Sequence, residues 1–243
     1  MATRERAGVW FREEKRRRPR LSRERIVEGA VALLDADGVD GLSMRRLAAR
    51  VGAGTMSLYE YVAGKEDVLD LALDAVMAEI EPADPAEADA DWRTALARQA
   101  TRTREVMRRH PWTVVLLGTR PLLGPNFLLR SERVYAILVR AGLDGRPLIA
   151  AVNAVFSYVH GFVAAENAWR GWVRGPGDEA ELRRRAQEHL DALADRYPTL
   201  ARHAQLDYAD FDGGFELGLQ IVLDGVESRL TGLRAGAGGQ HMA

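Results

Sequence analysis

Apolar residues recur along this chain at intervals of three and four, the spacing that lays them on one face of an α-helix. A first stripe, Ile26, Ala30, Leu33 and Leu34, runs up to Gly38 behind Ser22, whose hydroxyl can cap the opening turn. A shorter set, Leu47, Ala48 and Val51, follows a second capping residue, Ser43, and is stopped by Gly52. From Gly52 to Gly54 the backbone can reach angles that a Cβ forbids, so a third helix can start at Thr55 at a steep angle to the second. Leu58 and Val62 turn that helix inward and leave Thr55, Met56, Ser57, Tyr59 and Tyr61 on its outer face. The pattern predicts a helix-turn-helix whose last helix presents a short, mostly uncharged row able to enter a DNA major groove.

Beyond it the helical period continues. A connecting helix is expected from Lys65 to about Ile80, then a loop over Glu81 to Asp91, broken by Pro82 and Pro85. Trp92 to Arg109 carries Leu96, Ala100 and Val106 inward and ends at His110-Pro111, because the residue before proline avoids the helical region. The run from Trp112 to Gly118 is too short to decide between strand and helix by itself and is read as a short helix among helices. Further helices are expected from about Asn126 to Ala141, Pro147 to Trp172, Asp178 to Arg196 and Phe211 to Leu230. The fold class is therefore all-α. It divides into a basic arm, 1–20; a three-helix head, 21–66; a helical body, 67–231; and a small-residue tail, 232–243, the arm and tail expected to be disordered.

Composition narrows the function. With 243 residues, 47% of them hydrophobic, the chain can bury a substantial core. The absence of cysteine removes disulfides, thiolate catalysis and cysteine zinc sites. No signal-peptide core and no membrane-length apolar run is expected, which points to the cytoplasm. The net charge of −1 hides a division: 14 basic against 9 acidic residues through Lys65, and 20 against 26 after it. A basic head on an acidic body suits a head that meets phosphate. The arm, ending in Lys15-Arg16-Arg17-Arg18-Pro19-Arg20, is either a solvated tail or a segment that follows phosphates or a minor groove. Arg46 and Arg50 read as solvated or as nonspecific contacts.

Enzyme readings find little support. The five histidines show no paired metal spacing. Asp35 to Asp40 resembles a calcium loop, but Arg46 stands where its closing glutamate belongs. Gly52-Ala53-Gly54 lacks both the third glycine and the preceding strand of a dinucleotide fingerprint. Neither a catalytic set, a metal site nor a cofactor is expected.

The turn Val51-Gly52-Ala53, the Leu58-Tyr59 and Tyr61-Val62 pairs, and Gly64-Lys65-Glu66-Asp67 with Leu69 make residues 21–73 resemble the DNA-binding domain of the TetR family of transcriptional repressors. The resemblance extends into the body through Trp92, His110-Pro111-Trp112, Leu117-Gly118-Thr119-Arg120-Pro121, Gly161 and Phe215 to Gly225, which are similar to the tetracycline repressor branch. It implies a homodimer that binds a double-stranded DNA operator and is released by a small molecule. It places Arg45 at a base, Thr55, Met56 and Ser57 as reading residues, and Tyr59, Tyr61 and Lys65 at phosphates; packing within the head is the other reading of the two tyrosines. In the body it puts Gln99, Thr103 and Arg120 at a ligand pocket.

The long helix adds a row of polar residues, Asn153, Ser157, His160 and Asn167, beside Phe156 and Tyr158. Such groups need partners, which a ligand, a facing subunit or a core network could equally supply. With Asn153, Phe156 and Ser157 as one wall and Trp112 as another, the pocket suits an aromatic or polycyclic effector. That branch holds its drug as a metal chelate through a histidine and a carboxylate whose positions here are Leu116 and Ala165, so a metal-free effector is expected. Glu166 lies about 100° further round the helix. Glycines in the last helix, Gly214, Gly218 and Gly225, suggest close packing across a dimer axis. The alternative reading is a constitutive architectural DNA-binding dimer without an effector.

Overall fold

The computed structural model describes residues 21–80, 91–173, 175–204 and 210–239, with side chains except at 176 and 233–239. The basic arm, most of the acidic loop and the last four residues of the tail lie outside the described residues. The chain divides into two compact units, Met1–Ala72 and Leu73–Ala243.

In the first unit, α1 (Arg23–Gly41) starts where the Ser22 hydroxyl accepts a hydrogen bond from the Arg25 amide. Its helical run breaks at Gly38, whose φ of 67° is left-handed. Arg46 holds the chain after that break, donating to the Gly41 carbonyl at 2.6 Å and to Asp37 at 2.5 Å, so it is not simply solvated. Helix α2 (Met44–Val51) is capped by Ser43 and ends at left-handed Gly52, whose amide bonds back to the Ala48 and Ala49 carbonyls. Close packing of α2 on α1 requires Gly29: a Cβ there would meet Val51 Cγ1 at 2.6 Å. Helix α3 (Thr55–Leu58) is a single turn, and α4 (Lys65–Met77) begins in this unit and ends in the second. Ile26, Leu47 and Leu58 are fully buried at the centre of the head.

The second unit holds α5 (Trp92–Arg109), α6 (Thr113–Leu117), α7 (Pro125–Ala141), α8 (Gly145–Trp172), α9 (Pro176–Asp191), α10 (Pro198–His203) and α11 (Phe211–Gly239). Asp91, read from the sequence only as the end of a loop, caps α5, and left-handed Gly142 closes α7. Several boundaries differ from expectation, beginning with α4, which stops at Met77 short of Ile80. Helix α9 stops at Asp191, short of Arg196. Pro198, read as closing a helix, instead opens α10, where its missing amide proton needs no partner. Helix α11 continues past Leu230, so 232–239 of the expected tail are helical.

Helix α8, which packs against α5, α6, α7 and α11, is the central element. By length and composition it could also cross a membrane, which no stretch was expected to do. Towards its C-terminal end it carries a fully buried Glu166, gripped by Arg104 and Arg108 of α5 and by Arg170 of α8 itself. The Gly218 expectation also changes. A Cβ on Gly218 would meet the Tyr158 hydroxyl at 2.3 Å, so this glycine admits α8 of its own chain. Tyr158 donates there to the Phe215 carbonyl at 2.8 Å.

Candidate functional site

Helix α3 is held by one anchor, Leu58, and a tight exit in which the Tyr61 and Val62 amides both return to the Leu58 carbonyl at 3.0 and 3.1 Å. Because only Leu58 and Val62 turn inward, the other side chains stand out: Met56 is 79% exposed, Tyr59 46%, with Thr55 and Ser57 half-exposed beside them. Arg45 and Arg50, on α2, are exposed as well. Tyr61 and Lys65 are partly engaged within the head. The Tyr61 phenol donates to the Leu21 carbonyl at 3.0 Å, and Lys65 Nζ donates to the Val39 carbonyl at 3.0 Å. Each keeps further capacity, since a phenol also accepts and an ammonium has three protons. Thr55, Met56, Ser57 and Tyr59 thus stand together on the open side of α3, uncharged, polar apart from the Met56 thioether, and free to meet a partner.

In the second unit, the side chains of α5, α7 and α8 diverge around a cavity of about 290 Å³. Gln99, Thr103, Asn153 and Phe156 line it, as expected. Trp112, Arg120 and Ser157 do not. Trp112 is buried edge-on against His110, Arg120 lies past the end of α6, and Ser157 is one helical step beyond Phe156, on an exposed side of α8. Their places are taken by residues whose periodicity only marked them as apolar or charged: Met77, Met107, Leu117, Phe127, Val134, Tyr135 and Arg130. His160 lines the cavity too, stacked on Phe156 at 5.9 Å and tied to the Val114 carbonyl at 2.9 Å.

Polar groups inside are few and connected. The Thr103 hydroxyl spends its proton on the Gln99 carbonyl and accepts from Arg130 Nη2. Nη1 of Arg130 is buried without an acceptor among the described residues. Burial, with repulsion from Arg133, lowers the Arg130 pKa to about 10. Glu166 points away from the cavity. Its carboxylate takes both Nε and Nη2 of Arg104, at 3.0 and 3.2 Å, with Arg108 and Arg170 alongside. Burial opposes the Arg104 charge, but Glu166 and Asp212 outweigh it and hold its pKa above the ordinary value.

Comparison with known proteins covers both units. The model of "Bacterial regulatory proteins, tetR family" matches residues 26–72, and that of "Tetracyclin repressor-like, C-terminal domain" matches 84–230. An HTH-type transcriptional regulator of Saccharopolyspora erythraea is 46% identical over 221 residues, 90% of this chain and 91% of its own. The HTH-type transcriptional repressor DrrR1 of Streptomyces coeruleorubidus is 40% identical, over 86% of this chain and 78% of its own. Among solved structures, Streptomyces coelicolor ActR in complex with actinorhodin superposes with a TM-score of 0.76 at 29% identity, covering 87% of this chain and 99% of that one.

Proposed function

The chain belongs to the TetR family of transcriptional regulators, and from that premise we propose that it is a repressor that binds a pseudo-palindromic operator as a homodimer and leaves it when a small aromatic molecule fills the body cavity. What carries this reading is the presence in one chain of an exposed row, Thr55 to Tyr59, and an apolar cavity with sparse, oriented polar groups. Arg45 and the reading residues Thr55, Met56 and Ser57 face the bases, while Tyr59, Tyr61 and Lys65 hold phosphates. Gln99, Thr103, Asn153 and Phe156 contact the effector. A second copy covers the outer sides of α8 and α11, where Ile221 is 65% exposed and Leu217 67%.

The route from effector to head is through α4. Met77, its last residue, lines the cavity, while Lys65, its first, belongs to the head. A ligand favours release only so far as it binds the released arrangement more tightly, so contact with Met77 is where the two affinities would diverge. No metal takes part.

Selection of bound duplexes from a random library, followed by footprinting with and without aromatic effectors, tests the reading. We expect half-sites about one helical turn, roughly 34 Å, apart or somewhat more, and loss of the footprint on effector addition. Tyr59→Ala and Lys65→Ala should weaken every sequence, and Arg45→Ala should also relax base preference. Binding without sequence preference or effector response would mean an architectural protein instead.

A further inference from the structure

The chemical class of the effector, within the repressor reading above, is written in Arg130, the one guanidinium among the described residues that line the cavity. Arg130 projects from α7 into a lining that is otherwise neutral or aromatic, apart from His160, and that includes no carboxylate among the described residues. Its Nη2 donates to Thr103, whose own proton goes to Gln99, so a relay from α5 holds one end of the guanidinium. Its Nη1 is closed off from solvent-sized space and has no acceptor among the described residues, so an entering acceptor meets it as that end turns toward the cavity. A buried donor left unmatched on a charged group is unfavourable unless something that enters the site completes it.

From this geometry we propose that the effector is a planar aromatic monocarboxylate whose carboxylate pairs with Arg130. An aromatic body suits the stacked Phe156 and His160 and the Phe127 side chain, which also lines the cavity. One negative charge matches one cation; a phosphate dianion would enter with more charge and more acceptors than Arg130, Asn153 and Tyr135 can answer. A volume of about 290 Å³ sits at the lower end of ligand pockets, which favours two or three fused rings. Thr103 acts as a positioning residue, fixing the guanidinium rather than the ligand.

The test is calorimetric titration of the full chain with matched pairs, 2-naphthoic acid against 2-naphthamide and anthracene-2-carboxylic acid against its amide. In the wild type each acid should bind on the order of 10- to 100-fold more tightly than its amide, the span expected for one hydrogen-bonded charge pair. Arg130→Met should erase that preference while keeping amide affinity, and Arg130→Lys should restore part of it. Phe156→Ala should weaken acids and amides alike, which locates both in the cavity. Should Arg130→Met fail to fold, Arg130→Gln provides the same comparison without the charge. Equal affinity for acid and amide in the wild type, or a preference that survives removal of the guanidinium, overturns the carboxylate assignment and leaves the cavity as an effector site. If no member of either series binds, the cavity falls as an effector site as well.

Discussion

Glu166 and Arg130 meet the same physical problem, a charge removed from water, in opposite ways. Glu166 is fully buried and satisfied by Arg104, Arg108 and Arg170, and Arg104 itself lies 4.7 Å from the Phe215 ring and 2.7 Å from Asp212. Removing one member of such a set strands the others, so Glu166→Gln should lower unfolding free energy by about 3–5 kcal/mol, read by urea denaturation. Arg130 lacks that answer. With its pKa depressed to about 10, the folded protein sheds the proton before the unfolded chain does. Above pH 10 the unfolded state then binds more protons, and stability rises with pH. Arg130→Met should therefore raise the ligand-free melting temperature at pH 7, by about 2–4 °C per kcal/mol relieved, and the difference from wild type should shrink above pH 10. A residue that gains stability when removed is one retained for another purpose. A lower melting temperature for Arg130→Met would show the guanidinium to be structural.

At the scale of elements, α7 begins without a cap of its own: Gly124 supplies no side chain, and Asp74 on α4 does the work from a distance. Asp74 Oδ1 accepts from the Phe127 amide at 3.0 Å, and Oδ2 from Asn126 Nδ2 at 3.0 Å. The carboxylate reaches α7 only because Gly124 has no Cβ, which would meet it at 2.2 Å. This clasp ties α4 to the helix that carries Arg130. Asp74→Ala should reduce stability by about 1 kcal/mol, the usual worth of a cap, and blunt effector-driven release. Gly124→Ala should do the same by a different route, and the double variant should be little worse than either single one. Additive losses in thermal melts and operator-release titrations would separate the two residues. Neither was legible beforehand, because the cap is fifty residues from the helix it serves. The caps at Ser22, Ser43 and Gly52 were, because each acts on the turn adjoining it.

For the whole molecule, the apolar side chains left uncovered mark where the proposed second copy would sit. Leu217 and Ile221 share one side of α11, and Ala150, Ala154, Ser157, Gly161 and Ala165 make an exposed small-residue row along α8. Helices can approach closely over such a row. Ile221→Asp should place a charge in that seam, so sedimentation should find a monomer, and operator affinity should collapse because two half-sites no longer act together. A stable dimer of this variant would move the interface elsewhere. Gly218, by contrast, cannot test assembly: substitution there strikes Tyr158 within the chain first.

The sequence by itself determined what is set within a few residues. Helical periodicity, capping side chains and left-handed glycines specify which segments are helices and where most of them stop, and the Gly52 turn with Leu58 and Val62 buried leaves Thr55, Met56, Ser57 and Tyr59 outward. The family motif gave that face its proposed role at DNA. Only the tertiary structure decided what depends on how separate helices rotate against one another. It selected Gln99, Thr103, Asn153 and Phe156 for the cavity, turned Trp112, Arg120 and Ser157 away, and brought in Arg130. It also aimed Glu166 at arginines. A helical step of about 100° separates Phe156 from Ser157, and an apolar pattern says that a face is buried without saying what it is buried against.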